Sequence, residues 1–142
     1  MRDRFDTALK TLMPFEKIKT FLSSVIESSN DGFWVCDGAG KILYNNRASE
    51  KLTGINTKNF LGRNVADLVK QGMWKESVTL GAILEKKKHT KIQHVVMTGK
   101  KLLSTATPVF NDNGDIELVV TIERDITLFT NMQNHLKQIN QK

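Results

Sequence analysis

The hydrophobic rhythm of this chain changes once, abruptly, at Arg124-Asp125-Ile126-Thr127. Ahead of that point Ile116, Leu118, Val120 and Ile122 recur every second residue, the period of one face of a strand. Beyond it Phe129, Met132, Leu136 and Ile139 recur at spacings of 3, 4 and 3, the period of a coiled-coil seam. Any fold available to the chain therefore has to wire a sheet directly into a helix. A seam of about two heptads carries no core of its own and is not stable alone. It is expected to pair with a second copy or to continue into further sequence, an arrangement that suits a transmitter better than a catalyst.

The amino-terminal end predicts a similar helix. Residues 4–13 can form a short helix, and Pro14 then either interrupts it or starts another, because proline is tolerated only in a helix's first turn. Phe15, Ile18, Leu22 and Val25 then repeat the 3, 4, 3 spacing, and Ser28-Ser29-Asn30-Asp31-Gly32 ends it with turn formers. Between the two seams, 33–37 and 42–45 read as strands joined by the turn Asp37-Gly38-Ala39-Gly40-Lys41. Asn46 is placed to cap a short helix over 47–53 that Gly54 closes in the left-handed conformation. Helical fragments follow at 57–60 and 65–70, then a longer helix at 75–87 with Leu80, Ile83 and Leu84 on one face. Strands are expected at 91–97, 102–110 and 116–125, with Pro108 near the end of the second, where a missing donor is tolerable. Two strands, several helices and a three-strand meander predict an α+β fold. It is a five-stranded antiparallel sheet with helices gathered on one face, flanked by N- and C-terminal amphipathic helices.

Its 142 residues suit one domain plus flanking helices. No apolar run approaches the roughly 18 residues of a membrane span, and Met1-Arg2-Asp3-Arg4 is not followed by the apolar stretch of a secretory signal. No membrane partner is expected. The single cysteine, Cys36, excludes an internal disulfide and a Cys-rich zinc site and fits a reducing cytoplasm. An excess of 21 basic over 15 acidic residues invites a nucleic-acid reading, but the cations are spread along the chain. Their one dense run, Lys86-Lys87-Lys88, falls where a helix's carbonyl end favours positive charge. Direct nucleic-acid binding is not expected.

Several segments in this order resemble a PAS sensor domain over 21–127. Gly32-Phe33-Trp34-Val35-Cys36-Asp37 with Gly40 is similar to the family's first strand and its Asp-x-x-Gly turn. Asn46, Ala48, Leu52 and Gly54 resemble its Asn-x-Ala segment, Leu61-Gly62-Arg63-Asn64 its glycine turn, and Asp125-Ile126-Thr127 its exit signature. On this reading 1–20 is a helical flank, 21–127 the PAS domain and 128–142 a signalling helix. Ser77-Val78-Thr79-Leu80 with Glu85-Lys86-Lys87-Lys88, and Gly99-Lys100-Lys101-Leu102-Leu103 with Pro108-Val109-Phe110, resemble PAS domains of bacterial enhancer-binding activators of the nitrogen-type sigma factor. The resemblance implies an output of AAA+ ATPase and DNA-binding domains outside this chain, which would then be a sensory fragment. A histidine kinase or cyclic-dinucleotide enzyme is the alternative parent, because such exits precede those outputs too.

In PAS relatives a ligand, when present, lies between the sheet and the helices. The alternating pattern places Val35, Leu43, Leu80, Leu84, Val96, Leu118, Val120 and Ile122 near that space, with Trp34, Tyr44 and His94 as polar handles. Trp74 either caps the cavity or anchors the long helix. Asp125, Ile126 and Thr127 are expected to form the signal exit. Phe15, Ile18, Leu22, Val25, Phe129, Met132, Leu136 and Ile139 are expected to form a homodimer seam. Haem-binding relatives carry an axial histidine on the long helix; here His89 falls beyond it and His94 in a strand. Light-oxygen-voltage flavin chemistry needs a helical cysteine, whereas Cys36 is on the first strand. No cofactor is identified. Phosphate-loop, dinucleotide and His-Glu-x-x-His motifs are absent, so catalysis is not expected. A ligand-free interaction module, in which the bracketing helices simply build a dimer, is the competing expectation.

Overall fold

In the computed structural model, residues 15–141 are described together with Arg4, Asp6 and Thr7. The short helix expected over 4–13 lies, those three residues apart, outside the described residues. Elements follow in the order α1 (Phe15–Glu27), β1 (Gly32–Asp37), β2 (Ile42–Asn45), α2 (Arg47–Thr53), α3 (Thr57–Phe60), α4 (Val65–Lys70), α5 (Val78–Glu85), β3 (His89–His94), β4 (Lys101–Phe110), β5 (Ile116–Asp125) and α6 (Thr127–Asn140). The strands form one antiparallel sheet in the order β2-β1-β5-β4-β3, which puts the exit strand β5 at its centre. The expected α+β architecture is therefore present.

One face of the sheet is covered by α2 on β1 and by α5 on β3, β4 and β5. The interior is aromatic. Trp34 of β1 lies parallel to Trp74, with ring centroids 5.8 Å apart, and Phe60 of α3 meets Trp34 edge-on at 5.7 Å. Cys36, Leu68, Val78, Ala82, Leu102, Ala106 and Val119 close the space around them.

Side-chain caps set the starts of α2, α3, α4 and α5, at Asn46, Asn56, Asn64 and Ser77. Asn46 is the most connected of them. Its Oδ1 accepts from the amides of Phe33 (2.9 Å) and Ser49 (3.0 Å), and its Nδ2 donates to the carbonyls of Ile26 (2.9 Å) and Asp31 (3.1 Å). One buried side chain thus ties together α1, β1 and α2. Asp37 Oδ1 accepts from Ala39 and Lys41 in the β1–β2 turn, and Gly40 takes φ 92° there, with Asn64 Oδ1 3.0 Å from where a Cβ would stand.

The structure differs from expectation in two places. The long helix is shorter, running from its cap Ser77 to Glu85, because Lys86 turns left-handed at φ 55°. Its buried face is Val78, Thr79 and Ala82, not Leu80, Ile83 and Leu84. Small residues there let the helix approach the sheet closely enough for Thr79 and Thr121 hydroxyls to meet at 2.7 Å. Second, β3 ends at His94, and residues 95–100 form a turn.

Candidate sensory core, lateral cleft and exit junction

The inward row of β5 is Val119, Thr121 and Glu123. Glu123 is fully buried, accepts a 2.7 Å hydrogen bond from Trp34 Nε1 and lies 3.3 Å from the Ser104 hydroxyl, which donates to it. Burial pushes its carboxyl up to about 7, the two donors opposing the rise. The same burial, helped by Asp37, pushes the Cys36 thiol up to about 12 and leaves it protonated and unreactive.

Several residues expected beneath the sheet stand elsewhere. Leu118, Val120 and Ile122 alternate out of phase with Val119, Thr121 and Glu123 and occupy the opposite face, where Val120 pairs with Val35 and Ile122 with Phe33. Val35, Leu43 and Tyr44 border an apolar groove on that face, completed by Phe15, Ile18, Leu22 and Ile26 of α1. Tyr44 donates to Glu27 there; burial first, then that carboxylate, pushes the phenol up to about 12. Leu84 is 82% exposed, His94 is exposed at the end of β3, and Leu80 is half-buried against the core. Of the expected lining, Trp34 alone is fully inside. The reason is that both faces of this sheet are apolar, so alternation marks two rows without saying which is inner. Glu123 and Thr121 read as solvent-facing because the partners that satisfy them, Trp34, Ser104 and Thr79, are distant in sequence.

A cleft of about 490 Å³ opens at one end of the helical layer. Its walls come from Ile55, Leu68, Met73, Val96 and Met97, and Arg63, Asn56, Asn59 and Gln71 add polar groups. Val96 is thus a predicted lining residue that does line a cavity, though not the one beneath the sheet. Arg63 falls in the glycine-turn segment, but nothing local marks it, Gln71 and Met97 as neighbours; only the fold brings them to one cleft.

At the exit, Asp125 Oδ1 accepts from the Thr127 amide (2.9 Å) and hydroxyl (2.6 Å). The Thr127 hydroxyl in turn accepts from the Lys101 amide at 2.9 Å, and the Ile126 amide donates to the Lys101 carbonyl at 2.9 Å. Burial works to raise the Asp125 carboxyl, but the Thr127 donors and Lys100, 3.5 Å away, together hold it below its ordinary value. The first turn of α6 is therefore fastened to the start of β4. Further along, Phe129, Met132, Leu136 and Ile139 are exposed, and no described residue of α6 is buried. On α1, Val25 stands apart from the groove and is exposed.

Among the described residues no cluster of three or more His, Cys, Asp or Glu could hold a metal ion, and no helix is long and apolar enough to cross a membrane. His89 opens β3, its Nε2 3.2 Å from Glu85.

A central five-stranded sheet with this order, a helical layer on one face and a threonine-anchored helix leaving the central strand define an α+β module with a helical exit. A model of the PAS domain family matches residues 30–128, and the chain belongs to that family. Among solved structures it is similar to an RNA-binding light-oxygen-voltage receptor, at 20% identity and TM-score 0.69, over 92% of this chain and 38% of that one. The chain thus spans little more than a third of that receptor's length. It is similar also to the PAS domain of a protein from Colwellia psychrerythraea (22% identity, 78% of this chain and 98% of that one, TM-score 0.57). A third likeness is the PAS domain of nitrogen regulation protein NR(II) from Vibrio parahaemolyticus (17%, 73% and 96%, TM-score 0.56). At these identities the likeness shows the fold. A search of curated proteins finds no match.

Proposed function

We propose that this chain is the sensory and dimerisation domain of a bacterial transcriptional activator of the enhancer-binding type. It works in the cytoplasm as a homodimer without catalysis of its own. A small-molecule or cofactor signal received by residues 21–127 is passed through residues 128–142 to an AAA+ ATPase and DNA-binding output. The observation that carries the reading is α6 itself: its first turn is tied to β4 through Thr127, while its apolar seam faces solvent. A helix held rigidly at one end with an open seam along its length is suited to report a shift of the sheet as a change in helix pairing. The activator parentage rests on the residues around Ser77, Gly99 and Pro108.

Sedimentation of the chain and of Leu136→Glu tests the dimer. The wild type should associate with rising concentration and the variant stay monomeric at unchanged thermal stability; a wild type that remains monomeric at high concentration would sink the reading. A second reading, the ligand-free interaction module, is favoured by the close filling of the core around Trp34, Trp74 and Phe60. Native mass spectrometry of protein from its own host separates the two, since a retained small molecule supports sensing. A histidine-kinase parent fits the same exit, and the coding sequence beyond residue 142 decides that point.

A further inference from the structure

We propose that the lateral cleft, rather than the space beneath the sheet, is the effector site of this domain, that it takes a small organic anion with an apolar body, and that the turn between β3 and β4 carries its occupancy to α6. The proposal rests on the sensory reading above and names its input site. The space beneath the sheet is taken up by side chains, with Trp34 against both Trp74 and Phe60 at its centre. At about 490 Å³ the cleft lies within the roughly 300–1,000 Å³ of small-molecule sites.

Its chemistry selects the ligand class. Arg63 is the one charged side chain among the lining residues, and its guanidinium makes no hydrogen bond or ion pair with any described residue. Gln71 and Asn59 line the same cleft, so a carboxylate entering it meets a guanidinium and amide groups and no acidic lining residue. Also on the lining, Val96 and Met97 are 65% and 66% exposed on a turn, a position where polar residues are usual. An apolar ligand body packed between them and Met73 would take that surface out of water.

The turn then supplies the connection. On its first leg the Val96 amide donates to the Met73 carbonyl at 3.3 Å, and the Thr98 hydroxyl donates to the Leu52 carbonyl at 3.0 Å. On its second leg Lys100 pairs with Asp125, and just beyond the turn the Lys101 carbonyl accepts from the Ile126 amide while the Lys101 amide donates to the Thr127 hydroxyl. A ligand that draws Val96 and Met97 toward Met73 therefore pulls on the same short segment that fastens the start of α6. Occupancy has a different contact energy with each position of that segment, which is what a switch requires.

The test is a two-dimensional amide NMR titration of the chain with hexanoate and benzoate, and with the neutral hexanamide and benzamide. The acids should shift the amides of Gly72 and Met97 together with those of Lys101 and Thr127, and the neutral amides should bind about tenfold more weakly, the loss of one charge-assisted contact. Arg63→Gln should remove that preference, and Met97→Glu, at an exposed turn position, should remove binding of the acids. Equal binding of acid and amide, shifts confined to the α1 groove around Leu22 and Val35, or cleft shifts that never reach Thr127 would each overturn the proposal. A host-derived ligand that perturbs α6 while leaving Gly72 and Met97 unmoved would overturn it too, yet leave the sensory reading standing.

Discussion

At Glu123 a carboxylate sits at zero exposure with two hydrogen-bond donors and no charged group among the causes of its shift. Its folded value of about 7 lies above the 4.5 of an ordinary glutamate, so the protonated form is the one the interior accepts. For a raised acid, the contribution to stability is intact below the unfolded value and lost as pH rises through the folded one. Between pH 4.5 and about 7 the wild type should therefore lose on the order of 3 kcal/mol relative to Glu123→Gln, which keeps both partners without the charge. Urea midpoints of the two proteins across that range measure it; a constant difference would remove the argument. Asn46 is the opposite case, a neutral group whose donors and acceptor are all engaged. Asn46→Ala leaves two buried amides and two carbonyls to find new partners, and should cost roughly 2–4 kcal/mol in chemical denaturation. Asn46 was legible as a helix cap because capping is local; its bonds to Ile26 and Asp31 were not, since they depend on how α1 folds back.

The β5–α6 junction is the element on which the proposed signalling depends. The change of period at Asp125-Ile126-Thr127 locates it from local pattern alone, and the strand and helix do meet there. Pattern alone does not show that the junction is bolted sideways to β4. In Thr127→Val the Lys101 amide loses its acceptor and Asp125 loses a hydroxyl donor, at unchanged side-chain shape. We expect faster hydrogen exchange at Lys101 and through the first turn of α6, with a stability loss of about 1 kcal/mol. Unchanged exchange at Lys101 would mean that the threonine does not fasten the helix. The phase of β5 and the face of α5 show the limit of reading elements singly. A row of Leu118, Val120 and Ile122 looks like a core row until the outer face proves apolar as well, and small Thr79 and Ala82 outrank Leu84 for burial because close approach favours them.

The sheet has its helical layer on one side and, among the described residues, α1 over β1 and β2 on the other. The rest of that outer face leaves Leu103, Val109 and Ile122 at 37–40% exposure. Because α1 rests on the sheet through a few half-exposed contacts, Leu22→Asp should release it. Exchange should rise throughout α1 while the sheet's denaturation midpoint moves by less than about 1 kcal/mol. A large loss of global stability would instead make α1 part of the core. The sequence by itself determined the order and type of the elements, the capped turns at Asp37 and Asn46, and the point where strand gives way to helix. Those features depend on hydrogen bonds and periodicities spanning a few residues. Only the tertiary structure decided which face of β5 is inside, that Glu123 is buried against Trp34, and that Arg63, Gln71 and Met97 share a cleft. Each of these joins residues from separate elements, and the free energy that favours it comes from their meeting in space, which no local pattern records.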